Sequence, residues 1–360
     1  MLLTGGYVSF KAIAGNRPAL IGFAAGAAYG LAARFVIARD EFGNGIMAMT
    51  IGFLFLVPLA IGYLTVRPVR GASVRFQIFA PWGTCALVVL GAIVTGLEGA
   101  ICVVFAAPAM LVLSSLGGMV GGMQGRRVLA AELPVLLLLP WASMGLEHRA
   151  AAPLRHVVTS TSIEIAASPA VIWPLVVSVD SIRPAERHRS LFTAIGFPEP
   201  IAATLDHPGI GGVRTASFER GVVFHEAVIA WEPLRRIQFT IDATSVPSTA
   251  LDAHVTIGGP YFDVLTGTYE LQPISATRTL LVLRSEHRVS THFNPYAEWW
   301  ADHVMASIQR NILHILRDRA ERTSVSSSAA RRRETDALIA PIVRAMTHAA
   351  APLRHMEFAA

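Results

Sequence analysis

Lysine is all but missing from this chain of 360 residues: Lys11 is the only one, and arginine supplies the rest of the 30 basic residues. Charge of both signs is scarce, at 15% of residues against about 25% in ordinary globular domains. The net charge of +5 and the pI near 9.7 do not describe a nucleic-acid surface. The arginines lie in short loops between apolar stretches and in the tail, and no basic face interleaves with aromatics. Cysteine is nearly absent too. Cys85 and Cys102 both fall inside apolar stretches, which excludes a structural disulfide in the second half and any cysteine-based zinc site. No G-x-S-x-G, H-E-x-x-H or P-loop occurs, and no G-x-G-x-x-G follows a strand-like segment. The 12 histidines never pair at ligand spacing on a helix beside a third carboxylate, so neither a metal nor a cofactor is expected.

Apolar sequence is what the chain has in excess. Hydrophobic residues make up 53%, the mean hydropathy is +0.49, and the excess sits almost wholly before residue 147. A helix needs about 20 apolar residues to cross the hydrocarbon core. Residues 19–38, 46–66, 76–97 and 99–123 each supply such a run. Residues 128–146 are a weaker fifth, carrying Glu132, Pro134 and Pro140, with an uninterrupted apolar stretch of only 133–146. Arg34, near the end of the first run, is placed to snorkel to the interface. The opening run is too long, and followed by too many others, to read as a secretory signal. Charges near the runs are confined to their ends (Arg34, Glu98, Glu132), and no pair of broken helices marks an inverted repeat. An anchor therefore fits better than a channel or transporter.

Glycines recur at four-residue spacing in these runs: Gly22, Gly26 and Gly30; Gly117, Gly121 and Gly125; Gly118 and Gly122. Small residues on one face let helix backbones approach. The pattern predicts tight packing within one chain, with a homo-oligomer through the same faces as the second reading. Lys11, Arg17, Arg67, Arg70, Arg75, Arg126 and Arg127 fall on one side of the membrane when the runs alternate, which puts the N-terminus in the cytoplasm. Five spans then place the second half in the periplasm of a bacterium, tethered to a multi-pass inner-membrane protein; four spans leave it in the cytoplasm.

After Pro153 the pattern changes to that of a water-soluble domain. Residues 160–166 alternate as a strand. Ser168 at an N-cap with Pro169 behind it opens a helix to 177, and 183–195 reads as a second short helix or loop. Strands are expected at 201–205, 213–218, 222–231, 236–243, 252–257, 262–272 and 279–290, separated by turn residues such as Gly211, Pro233 and Gly258. A closing helix, 295–322, carries Tyr296, Trp300, Val304, Ile308, Ile312 and Ile315 in one apolar stripe, with Glu298, Asp302, Arg310 and Arg317 opposite. Such a helix after an antiparallel sheet lies across it. Residues 323–335, serine-rich with three consecutive arginines, read as a solvated linker, and 336–350 as a short amphipathic helix.

This order of elements resembles the polyketide cyclase / START-like superfamily, also called SRPBCC, over about residues 157–322. "STSIEIAASPAVIWPLV" is similar to its first strand and helix and "FHEAVIAWEPLRRIQFTI" to its central hairpin. "GTYELQPI", "RTLLVLRSEHRVS" and "NPYAEWWADHVMASIQRNILHILRDRAE" are similar to its last strands and closing helix. The resemblance implies a helix-grip fold: an α+β domain in which a curved antiparallel sheet wraps the long C-terminal helix and encloses a cavity. It also implies an apolar ligand such as a lipid, sterol or polyketide. The attached transmembrane bundle departs from the compact, soluble members.

An apolar cavity needs few polar groups to orient its ligand. On the last strand Leu281, Leu283, Ser285, His287 and Val289 share a face, and Arg284, Glu286 and Arg288 the other, so His287 is expected inward, as a core histidine before a catalytic one. The same alternation puts Leu265, Tyr269 and Leu271 inward. On 222–231 either His225 or Glu226 enters the cavity. Glu226 facing solvent is the plainer reading; facing in, it needs a partner or a raised pKa. Trp300 belongs to the helix stripe, as core first, and His254 is a weaker candidate. The ligand-binding set is therefore His225, Glu226, Tyr269, His287 and Trp300. The favoured function is a membrane-anchored binding or transport module for a hydrophobic ligand. The alternatives are a cyclase- or hydratase-type enzyme using the same cavity, with His287 or Glu226 as acid/base, and a sensor domain of a small-molecule transporter.

Overall fold

Apolar helices build the front half. The computed structural model describes residues 17–38, 49–123, 132–247 and 256–349. Helices α1 (Arg17–Ile37), α3 (Val74–Val94) and α4 (Ala100–Gly122) are long and apolar enough to cross a membrane; α2 (Gly52–Val66) and α5 (Glu132–Glu147) are shorter apolar helices. These elements mark the front half as membrane-associated. The start of α2 is wound as a π-helix over Gly52–Leu56. The Glu147 carboxylate ending α5 accepts from the amides of Ile51 at 2.7 Å and Gly52 at 3.0 Å, which satisfies donors that a helix start otherwise leaves open.

Close backbone approach holds the bundle together. A side chain at Gly62 would collide with the Ser114 carbonyl, and one at Gly117 with the Leu59 carbonyl, so α2 and α4 touch nearly backbone to backbone. Gly22 and Gly26 meet Thr65, and Gly30 meets Ile61 and Val88. These faces pack within the chain; Gly125 lies outside the described residues. Arg34 also departs from expectation. Instead of snorkelling outward it is buried, with its Nε 2.6 Å from Glu98 Oε1 and a second hydrogen bond to the Leu97 carbonyl. Burying a guanidinium requires such a partner, and Glu98, on the α3–α4 turn, is within reach.

The second half is one sheet and one long helix. Strand β1 (Leu154–Ile165) is followed by α6 (Pro169–Val177), a short α7 (Leu191–Ala194), β2 (Pro200–Leu205), β3 (Val213–Phe218), β4 (Val223–Glu232), β5 (Arg236–Asp242), β6 (Phe262–Ser275), β7 (Arg278–Ser290) and α8 (Asn294–Ala349). The seven strands pair antiparallel in the order β1-β7-β6-β5-β4-β3-β2. The sheet curls as a half-barrel around α8, which is the helix-grip arrangement. Residues 252–255 of the expected strand 252–257, His254 among them, lie outside the described residues; Ile257 makes an isolated bridge to Phe262.

The core lies between the concave sheet and α8. Ile237, Phe239 and Leu281 pack with Leu313, Ile315 and Ala320 of α8 and with Ile172 of α6. Gln309 fixes the helix to the sheet: its Nε2 donates to the Thr159 carbonyl and to Ser285 Oγ, both at 3.0 Å, and its Oε1 accepts from Thr161 Oγ1 at 2.7 Å. Helix α8 does not stop at 322. The expected linker, 323–335, is helical, and the helix runs on to Ala349. The Ser326 and Ser327 hydroxyls donate back to the Thr323 carbonyl, which lets serine sit inside a helix.

Candidate functional site

Inward-facing residues of β3, β4, β5 and β6, together with α8, enclose a hollow of about 130 Å3. Its walls are almost wholly apolar: Phe224, Phe239, Ile241 and Val264 from the sheet, Met305 and Ile308 from the helix. Gly267 adds room, because a Cβ there would meet nothing nearer than 3.5 Å. A smaller extension of about 60 Å3 continues past Phe218 and Ile312 toward Arg214. Val304, Ile308 and Ile312 of the helix stripe line the hollow, and Ile315, a core residue, borders the extension.

One ion pair interrupts the apolar wall. Arg214 on β3 and Glu226 on β4 are direct cross-strand partners and both are buried. Arg214 Nη1 donates to Glu226 Oε2. The guanidinium carbon lies 5.2 Å from the Phe239 ring centre and 5.8 Å from that of Tyr269, within cation–π range. Burial works against the charge on Arg214, and the facing Glu226 carboxylate more than offsets it, so the guanidinium is held above its ordinary pKa. Burial pushes the Tyr269 phenol up, with Arg214 opposing. Arg214 Nε is buried and has no hydrogen-bond partner.

The five residues singled out from sequence separate in space. Glu226 and Tyr269 line the hollow and its extension. Glu226 therefore faces in, against the plainer expectation, and His225 is exposed on the opposite face of β4. His287 points inward but lines neither the hollow nor its extension. It is fully buried, 5.6 Å from the Phe262 ring centre, and neither ring nitrogen has a hydrogen-bond partner. Burial holds its pKa below the ordinary value, with Asp302 opposing. Trp300 leaves the sheet entirely and stacks on Phe105 of α4 at 4.5 Å and 18°. Leu265 does not line the hollow: a bulge between Val264 and Thr266 puts Val264 there in its place. A second bulge, between Val228 and Ala230, lets Trp231 join the core beside Trp173 at 5.2 Å.

Arg214, Gln309 and Phe197 were missed by sequence reasoning. Period-two placement of Arg214, Ala216 and Phe218 on one face of a strand was the available signal for the first. Gln309 had only its position beside Ile308 and Ile312, and Phe197 sits in a connection with no periodicity.

Solved structures of the START and polyketide-cyclase kind are similar to this part of the chain. A norcoclaurine synthase from Thalictrum flavum is 14% identical, covering 46% of this chain and 96% of its own, with a TM-score of 0.29. An aromatase/cyclase from Streptomyces sp. R1128 is 18% identical, covering 47% and 95%, with a TM-score of 0.30. A START superfamily protein from Mycobacterium smegmatis is 16% identical, covering 47% and 99%, with a TM-score of 0.31. No family model and no curated protein matches the sequence. Likenesses of this size carry no argument about function, and the helix-grip description rests on the strand order and the seat of α8.

Proposed function

We propose that the protein is a membrane-anchored binding module that holds an apolar small molecule in the hollow between the sheet and α8. The carrying observation is the hollow itself: apolar on nearly every side, within an otherwise packed core, with one buried charged pair to orient a ligand oxygen. A space walled this way favours a hydrocarbon guest through removal of apolar surface from water, and the Arg214–Glu226 pair bordering the extension is the polar end for one atom of that guest. Among the described residues no nucleophile with an adjacent base lines the hollow, which favours binding over chemistry.

The bundle keeps the domain beside a source of such molecules. Phe55 at the start of α2 packs on Phe293 and Tyr296 at the start of α8, and Phe105 near the start of α4 packs on Trp300. Arg67 and Arg75 lie at the opposite ends of α2 and α3 from this contact, with Arg70 in the turn between them, about 18 Å away along α2 and about 28 Å along α3 at about 1.5 Å per residue. With arginine-rich loops inside, the domain faces outward, into the periplasm if the host is a bacterium.

Native mass spectrometry of the full chain, released from phosphatidylcholine/phosphatidylglycerol nanodiscs, tests the reading. The expected result is an added apolar mass on the wild type that is lost in Gly267→Leu, whose side chain fills the hollow. A wild type that carries no such mass rejects the proposal.

A further inference from the structure

A second cavity lies outside the hollow, where the bundle meets the domain. It measures about 210 Å3. Leu54, Val89 and Ala106 wall it from α2, α3 and α4, and Val289, Trp300 and Ala301 wall it from β7 and α8. Arg34 and Glu98 line it too and give it one polar end. The α3 wall merges with the outer surface of the bundle: Val89 is half-buried and its neighbours Leu90 and Ile93 are exposed at 58% and 47%, which in a membrane means facing acyl chains.

Phe197, Phe262 and Val304 line this cavity and the hollow alike. The partition between the two is therefore one side chain thick. Each member of it belongs to a different segment: the α7–β2 connection, β6 and α8. Phe105 of α4 stacks on Phe197 at 6.0 Å and on Trp300 at 4.5 Å, so a membrane helix touches the partition directly.

We propose that the junctional cavity is a binding site for a long acyl chain and the route by which that chain passes between the bilayer and the hollow. This rests on the hollow being a ligand site, as proposed above. The chain enters at the α3 side and leaves its polar head near Arg34 and Glu98. It passes the aromatic partition by rotation of Phe197 and Phe262, side chains that rearrange without breaking a hydrogen bond. The shared chemistry is the acyl chain, whether of a free fatty acid or of a phospholipid.

The test uses the full chain in phosphatidylcholine/phosphatidylglycerol vesicles carrying either diazirine-palmitate or a phosphatidylcholine with a diazirine acyl chain, with adducts mapped by mass spectrometry. Adducts on both the junctional lining (Cys102, Ala301) and the hollow lining (Met305, Ser285) are expected, and the probe that gives them names the source. Ala106→Leu and Ala301→Phe, which fill the junction, should lose the hollow adducts while melting like the wild type. Gly267→Leu should lose the hollow adducts and keep the junctional ones. Hollow adducts without junctional ones overturn the route and leave the binding module standing, as do hollow adducts that survive both filling variants. No adduct in either place overturns both. If the filling variants misfold, the wild-type map alone decides.

Discussion

Replacing Glu226 by alanine would leave the Arg214 guanidinium buried opposite nothing. Removing one partner of a buried pair costs about 3–5 kcal/mol, whereas replacing both with apolar residues of similar volume is often neutral. Glu226→Ala should therefore lower the thermal midpoint of the purified full chain sharply, and Arg214→Met combined with Glu226→Leu should restore most of it. His287 gives the fold a pH dependence. Its folded pKa lies below the ordinary value of 6.5 because burial disfavours the imidazolium. The unfolded chain thus binds the proton more readily, and the stabilisation is present above about pH 6.5 and is lost as pH falls toward the depressed folded value. Glu186 acts lower on the scale. Hydrogen bonds from Arg319 first, then from Arg183, pull its pKa from 4.5 to about 2 against some desolvation, so its contribution is complete above 4.5 and disappears as pH falls toward 2. Thermal midpoints from pH 8 to 3 should fall in two stages, with His287→Leu flattening the upper stage and Glu186→Gln the lower.

Among the elements, α2 and α4 depend on glycine where they cross. Gly62→Val must push Ser114 away, and the structure offers no slack between two backbones in contact. Full-length Gly62→Val should run as aggregate on size exclusion while the wild type runs as a single species. The far end of α8 behaves oppositely. Ala320 is the last α8 residue in the core, Glu321 still accepts from the Ala166 amide at 3.0 Å, and beyond it Val325, Leu338 and Ile339 are exposed. Deleting residues 328–360 should change stability by no more than about 0.5 kcal/mol, read as an unchanged melting midpoint. The alternation on β7 correctly separated Leu281, Leu283 and His287 from Arg284 and Arg288. On β6 the same rule placed Tyr269 and Leu271 correctly and missed only Leu265, the residue at the bulge; on β4, where either face could point inward, the bulge after Val228 moves Trp231 onto the same side as Glu226 and Val228.

For the whole molecule, docking ties the sidedness of the domain to that of the bundle. A β-lactamase fused to the C-terminus and expressed in a bacterium should protect cells from ampicillin, since α8 starts at the end of the bundle remote from Arg67 and Arg75. Sensitivity of those cells would place the domain in the cytoplasm and contradict the proposed orientation.

Composition and periodicity by themselves determined the apolar front half, the antiparallel strands, the closing helix and the inward face of β7, because hydrophobic patterning at periods of 2 and 3.6 is a local property of the chain. Only the tertiary structure decided that Glu226 faces in and finds Arg214, that Arg34 finds Glu98 rather than water, and that Trp300 serves the junction with α4. Those outcomes depend on strand register, bulges and the docking of two halves, which bring together residues far apart in sequence.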